Sequence, residues 1–422
     1  MNRATLSIYI HIPFCVHKCP YCSFNSFSFE SVLRANGTSA QQDPHDLERA
    51  YTEAIIAELE YFANNSAWSR QEVQSIFFGG GTPSIFSASS IELILRAIEQ
   101  NFQLATNNEI TIEANPGTLI EELSLEKLLT FKAMGINRIS LGVQSFSEEK
   151  LKKLGRIHSA KDARDAILCC KKAGFTNINL DLIFGIQGER LEQWEADITH
   201  AVALEPKHIS IYGLTIEAGT EFFKRSLAKE KIAANDALVA KMYGLAQVSL
   251  RENNFAQYEI SNYSKEGFQC KHNLRYWSRD NYLGVGAGAH SFSNETIWQG
   301  SKLRKTIPKN TAWGQRWTNH SNPLTYINKI NQSATAIKQL ETLDKNQAKL
   351  EFFLVNLRTK KGICLANYKK LFKSSMLEDQ HFAIQKLLSN NLIQQFDNNL
   401  ALTDKGFLFA DSVLEEFANG VA

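Results

Sequence analysis

The 422-residue chain encodes an α/β fold over its first half and a mixed, more helical arrangement over its second. Two patterns carry that reading. Between residues 7 and 212, six short strand-like runs alternate with stretches of helical periodicity. Such alternation builds a parallel sheet with right-handed crossovers. Beyond Thr220 the alternation stops, and long helical stretches and irregular polar segments replace it. Six units suit an incomplete (β/α) barrel. Periodicity by itself leaves a doubly wound open sheet as an alternative.

Residues 7–12 form a weakly alternating, β-branched run, the first strand. Residues 28–46 are polar and read as a surface insertion. Ile55, Ile56, Leu59 and Phe62 recur at helical spacing within 51–62. Residues 75–78 are the second strand and run into Gly79-Gly80-Gly81-Thr82-Pro83. A helix over 91–102, a strand over 109–114 and a helix over 123–134 follow, the last stopped by Gly135. The next strand is 138–143, then a helix over 160–173 ending at Gly174. A strand at 177–184, a helix at 191–204 and a strand at 208–212 complete the series. In the second half, 233–252 is a long helix and 257–260 a short strand. Residues 270–277 are a polar, aromatic loop leading to the glycine-rich 282–290. The segment 298–322 is irregular, with Lys302, Arg304, Lys305, Trp313, Arg316 and Trp317; it reads as a mobile surface loop. Helices at 350–357 and 382–388 precede two short strands, 392–396 and 400–402, around Asp397-Asn398-Asn399, a hairpin signal. A helix at 407–417 ends the chain. Helices, hairpin and helix resemble a winged-helix module. The expected division is 1–220, 221–340 and 341–422.

Composition narrows the class. A formal charge of +2 and an apolar content of 44% describe an ordinary globular protein with no pull toward nucleic acid. The C-terminal module is not basic enough for DNA, and packing is its expected role. No run of eighteen apolar residues offers a membrane span. The N-terminal apolar segment lacks a small-residue cleavage site, so no signal peptide is expected. Seven unevenly placed cysteines do not form a secreted disulfide framework, and the reducing cytoplasm is the natural compartment.

Three of those cysteines, Cys15, Cys19 and Cys22, lie in a C-x3-C-x2-C array directly after the first strand. Pro13 and Pro20 bar a continuous helix there, so the thiols sit on a loop that can wrap one centre. Soft thiolates suit zinc or an iron–sulfur cluster. A structural zinc site takes four ligands, and no second C-x2-C exists. Three thiolates fit a [4Fe–4S] cluster with one iron left open. Of the other cysteines, Cys169 and Cys170 are neighbours in a helix and point apart, so they read as packing residues, as does Cys364. Cys270 is less clear, two residues before His272.

The array, with Tyr21 before its last cysteine, resembles the radical S-adenosylmethionine (SAM) superfamily. The longer string Tyr9-Ile10-His11-Ile12-Pro13-Phe14-Cys15 resembles the oxygen-independent coproporphyrinogen III oxidases and their relatives. The resemblance decides for the partial (β/α)6 barrel of radical SAM type, followed by a mixed α/β region. It implies a [4Fe–4S] cluster on Cys15, Cys19 and Cys22 whose open iron chelates SAM, and an electron donor that reduces it. It implies that Gly80, Gly81 and Thr82 contact the methionyl part of SAM through glycines that permit close approach. Glu113, Gln144, Arg156 and Asp181 stand where the family holds SAM, with Tyr9 and Tyr21 as further contacts. Gly213 and 286–290 are candidate pocket walls.

The string His272-Asn273-Leu274-Arg275-Tyr276-Trp277 is similar to the H-N-x-x-Y-W motif of the HemW-type haem chaperones, a sister group of the oxidases. It implies haem bound through His272. On chemistry alone a hydrogen-bonded loop histidine is the favoured reading, and only the resemblance points to haem. The oxidases carry a further cysteine two residues after the third, where this chain has Phe24, and a longer segment ahead of the array. Both departures match the chaperones. The expected function is therefore haem binding and transfer to acceptor haemoproteins, with peripheral membrane association arising through acceptors and the 298–322 loop available to propionates. The alternatives are oxidative decarboxylation of coproporphyrinogen III and a winged-helix binding protein with a structural metal.

Overall fold

The structure is a computed structural model that describes residues 5–35, 43–119, 122–294 and 313–421. Six parallel strands form its centre: β1 (Thr5–Ile12), β2 (Glu72–Gly80), β3 (Gln103–Ala114), β4 (Arg138–Gln144), β5 (Asn177–Phe184) and β6 (His208–Gly213), hydrogen-bonded in that order. The helices between them are α1 (Pro44–Asn65), α2 (Ala88–Asn101), α3 (Glu122–Ala133), α4 (Ala160–Lys172) and α5 (Leu191–Ala203).

Residue parity along the strands explains the architecture. On β1, Leu6, Ile8, Ile10 and Ile12 are buried among the helices, as are Ile110 and Ile112 on β3 and Ile178, Leu180 and Leu182 on β5. The intervening residues point the other way, since side chains alternate along a strand. Tyr9, Phe77, Glu113, Ser140, Asp181 and Tyr212, one from each of β1 to β6, line one cavity, so the sheet curves around it. The barrel stays open. The outer neighbour of β1 is a seventh parallel strand, β7 (Tyr282–Val285), with Ile8 opposite Leu283. From there the sheet continues antiparallel through β8 (His290–Ser293), Gln315–Asn319 and Ile337–Thr342. Asn262–Ser264 adds antiparallel to β6 at the other edge. The mixed twelve-stranded sheet bears out the expected α/β partial barrel.

Four expectations need correction. Residues 270–277 are not a loop: Lys271–Trp277 is a helix, labelled α7 below, after α6 (Asp236–Glu252). Its exposed N-terminal donors are satisfied from afar, Lys271 N and His272 N donating to the Glu109 carboxylate of β3 at 3.1 and 3.2 Å, a charge that also suits a helix N-terminus. The strand expected at 257–260 is split into Ala256–Gln257 and Asn262–Ser264. Within 298–322, Gln315–Asn319 is a sheet strand, and Trp317 is buried, stacked on Trp68 at 5.3 Å; Lys302, Arg304 and Lys305 lie outside the described residues. In 28–46, Phe29–Ala35 is a helix whose first ring stacks on Phe14 at 4.4 Å, while 36–42 lie outside the described residues.

The C-terminal stretch has a core of its own, including Phe353, Tyr368, Leu387 and Phe417. Its order is helix α8 (Lys345–Leu357), strand Ile363–Cys364, helices Leu365–Phe372, Met376–Asp379 and His381–Ser389, the hairpin Ile393–Phe396 with Asn399–Leu402, and helices Asp404–Leu408 and Ala410–Asn419. Arg279 Nε bonds Glu351 of α8 at 2.8 Å and ties this unit to the barrel edge. Among the described residues no helix is long and apolar enough to cross a membrane.

Candidate functional site

The cysteine loop leaves β1 at the C-terminal end of the strand, the end at which barrel chemistry collects. It is tied down locally. Phe14–Cys15 pairs with Phe27–Ser28, Cys22 N donates to Cys19 O at 3.0 Å, and Lys18 Nζ donates to the carbonyls of Phe24 and Ser26 at 3.0 and 3.1 Å. Cys15, Cys19 and Cys22 form no disulfide and face one cavity of about 490 Å³. Each has a polar neighbour. Thr82 Oγ1 donates to Cys15 Sγ at 3.6 Å, Ser26 Oγ lies 3.9 Å from Cys22 Sγ, and Arg156 Nη1 donates to Cys19 Sγ at 3.5 Å. Among the described residues no three His, Cys, Asp or Glu side chains close around a single ion. A cluster needs no such convergence, because each thiolate meets its own iron. The donors near sulfur are the kind that tune such a centre. The thiols fit a cluster better than a structural zinc.

Every residue carried over from the family lines this same cavity: Tyr9, Tyr21, Gly80, Gly81, Thr82, Glu113, Gln144, Arg156, Asp181 and His272. Their chemistry differs. Arg156 bonds Gly142 O at 2.8 Å and reaches Tyr21 OH at 3.5 Å, while its Nε is buried without a partner among the described residues. Gln144 ends β4 with φ 66, a left-handed conformation that costs a non-glycine residue and gathers at functional sites. Glu113 accepts from Gly80 N at 3.1 Å; burial, and then the Asp181 charge, push its carboxyl up to about 7. Asp181 is also raised by burial, against hydrogen bonds from Asn179 at 2.9 Å and Ser140 at 3.2 Å.

Two expectations change here. The glycines after β2 are required by the protein's own packing. A Cβ on Gly80 (φ +119) would lie 2.7 Å from the His11 ring, and one on Gly81 would lie 2.4 Å from Phe14 O. Their missing side chains let β2 lie against the cysteine loop. His272 is also not free for iron. Its Nδ1 pairs with Ser75 Oγ at 2.9 Å and its Nε2 with Tyr276 OH at 2.8 Å. Burial, and then Arg138, push it down to about 3, so it is a neutral, fully bonded imidazole on the cavity wall. Cys270 is buried and donates to Glu109 Oε1 at 3.4 Å.

Tyr276, named in the His272–Trp277 string, also lines the cavity, as do Arg138 and Asn179, which were missed from the sequence. Asn179 donates to Ser140 Oγ at 2.7 Å, and its Oδ1 pairs with His208 Nδ1 at 2.6 Å. The signal was available in Arg138-x-Ser140-x-Gly142, Asn179-x-Asp181 and His208-x-Ser210-x-Tyr212, which are polar at every second position between apolar ones.

Comparison with known proteins gives the family and the fold. Residues 9–201 match the radical SAM superfamily, and 343–409 match the HemN C-terminal domain. The haem chaperone HemW of Haemophilus influenzae is 35% identical over 415 residues, 98% of this chain and 97% of that protein. HemW of Escherichia coli is 39% identical over 302 residues, 71% of this chain and 73% of that protein. HemW of Lactococcus lactis is 33% identical over 411 residues, 97% of each. The structure of the E. coli coproporphyrinogen III oxidase HemN, a radical SAM enzyme, aligns with a TM-score of 0.77 over 99% of this chain and 90% of that one, at 18% identity. That likeness shows a shared fold.

Proposed function

We propose what this chain does from the premise that it belongs to the HemW family of haem chaperones within the radical SAM superfamily: it binds haem and delivers it to acceptor haemoproteins, and it carries a [4Fe–4S] cluster with SAM. The observation that carries the cofactor half is the single cavity shared by three unpaired thiols and every family contact. Bound there, the cluster would offer an open iron to SAM and accept an electron from a donor protein. The residues present have clear tasks. Cys15, Cys19 and Cys22 hold the cluster, with Thr82 and Ser26 beside the sulfurs. Arg156 sets a positive charge against Cys19 and keeps one N–H for a ligand carboxylate. Glu113, poised at about 7, ionises against a ligand ammonium. Asp181 and Gln144 accept from hydroxyls.

Phe24 supports the chaperone over the oxidase. It stands on the cavity wall where the oxidase pattern has its further cysteine. The division at 220 and 340 then gives most of the cofactor cavity to the first unit, with one wall from His272, Asn273 and Tyr276 of the second, and leaves 341–422 as a packing module. The test uses anaerobic, cluster-loaded protein. Haem should bind at one per chain and pass to an apo-haemoprotein, while coproporphyrinogen III with SAM and a working reductant should remain unconverted. Stoichiometric protoporphyrinogen formation would restore the oxidase reading.

A further inference from the structure

A second cavity, of about 580 Å³, opens beside the first. It shares Tyr9, Gly80, Glu113 and Tyr276 with the first cavity and extends to Glu351 and Val355 of α8. It therefore lies between the barrel edge and the C-terminal unit. Its volume is that of a cofactor-sized pocket, roughly 300–1,000 Å³. Phe24, Tyr282 and Phe292 give it an aromatic wall. Tyr282 packs edge-on to Tyr276 at 4.6 Å and lies 6.2 Å from Phe292. Phe24 is 64% exposed and lines both cavities. A flat apolar ring system is the kind of ligand such walls favour.

Four histidines line the two cavities: His11, His17, His272 and His290. An imidazole binds iron through a nitrogen that carries no proton and no other partner. His11 is committed, its Nδ1 to Tyr9 OH at 3.0 Å and its Nε2 to Asn25 O at 2.8 Å. His272 is committed at both nitrogens, and His17 lines the cysteine cavity but not this one. His290 opens onto the second cavity and, among the described residues, its ring has no hydrogen-bond partner. It stands on a rigid element. β8 pairs with Gln315–Asn319, with His290 opposite Thr318. Gly284 packs so closely on the His290 carbonyl that a Cβ there would lie 2.1 Å away. Partial burial, and then the Arg316 charge, push the His290 ring below its usual range, so it is neutral near pH 7, as a metal ligand must be. Arg279, over Phe292 at 4.7 Å and paired with Glu351, braces the same wall.

We infer that the imidazole of His290 is the ligand this chain presents to haem iron, with the porphyrin against Phe24, Tyr282 and Phe292 in the crevice between the barrel edge and α8. The inference rests on the haem-chaperone reading and gives that reading its binding residue. His272 instead is a positioning residue: its bond to Ser75 holds α7 against β2, and its bond to Tyr276 within α7 sets one wall of the crevice.

The test compares full-length, cluster-loaded wild type with His290→Ala, His272→Ala and His17→Ala. Ferric haem and iron-free protoporphyrin are titrated separately, followed by tryptophan quenching and by the low-temperature EPR signal of the haem. His290→Ala should weaken ferric haem about tenfold or more, on the scale of losses at metal sites. It should also change the EPR signal, and added imidazole should restore that signal. Iron-free protoporphyrin should bind both proteins alike, which a collapsed crevice would not allow. His272→Ala and His17→Ala should keep the wild-type EPR signal. An unchanged signal and affinity in His290→Ala would overturn the assignment, as would loss of the signal in His272→Ala or His17→Ala alone. Wild type that binds no haem would overturn the chaperone reading itself, and this inference with it.

Discussion

Gly81→Ala tests whether the glycines after β2 serve the cysteine loop. The added Cβ would lie 2.4 Å from Phe14 O, 2.8 Å from Phe14 C and 2.9 Å from Phe14 N. All three are backbone atoms, so no side chain can rotate away. Relief requires a shift of roughly 1 Å, because nonbonded carbon contacts settle near 3.5 Å. That shift parts Gly81 N from Ile12 O and Thr82 N from Phe14 O, two bonds of 2.8 Å each. Overpacking costs about 1–3 kcal/mol and each of the two lost bonds about 1 kcal/mol, so roughly 3–5 kcal/mol of stability is at stake. Because Cys15 adjoins Phe14 and Thr82 adjoins Gly81, the Thr82–Cys15 contact opens too. Iron and sulfide per chain after anaerobic purification should fall, and the urea midpoint should drop. Gly244→Ala is the control. Gly244 lies in α6, and among the described residues nothing stands within 4 Å of the place its Cβ would take. A helical Gly→Ala change of this kind should gain about 0.5–1 kcal/mol. Full iron content and an unchanged midpoint in Gly81→Ala would refute the packing argument.

Cys15→Ala, Cys19→Ala and Cys22→Ala should each remove most of the iron–sulfur absorbance of anaerobic protein, since each thiolate holds a different iron; retention in all three would end the cluster assignment. Glu58 gives a pH test away from any ligand. It accepts from Gly286 N at 2.9 Å, Tyr326 OH at 2.7 Å and Asn319 Nδ2 at 2.8 Å, yet burial outweighs these bonds and pushes it up to about 7. The folded chain then holds a proton that the unfolded chain has released. The stability from this group is whole below the ordinary carboxylate value and is lost as pH rises through about 7. The stability of wild type minus that of Glu58→Gln, from urea melts, should fall between pH 5 and pH 8, and a flat or rising difference would contradict it.

What could be read from the chain was whatever lies close together in it. The cysteine array, the Gly-Gly-Gly-Thr turn and the β1 to β6 series are local patterns, and each is where it was expected. The parity of β4, β5 and β6 was local too and would have found Arg138 and Asn179, had polar residues at alternate positions been read as an inner wall. What failed depends on partners far away. The helix α7 is capped by Glu109 of β3, and nothing within 270–277 announces that carboxylate. Gln315–Asn319 becomes a strand because Trp317 finds Trp68 and Phe62 at the end of α1. The histidines follow the same rule. His272 stands in a conspicuous string and His290 in an inconspicuous one, but residue type alone cannot tell a committed imidazole from a free one. Ser75 on β2 and Tyr276 one turn along α7 occupy both nitrogens of His272. Where β8 leaves His290, no such partner stands within reach among the described residues. A conspicuous string can owe its chemistry to the wall it builds, while the bond to the ligand is made by the neighbour that the wall leaves uncommitted.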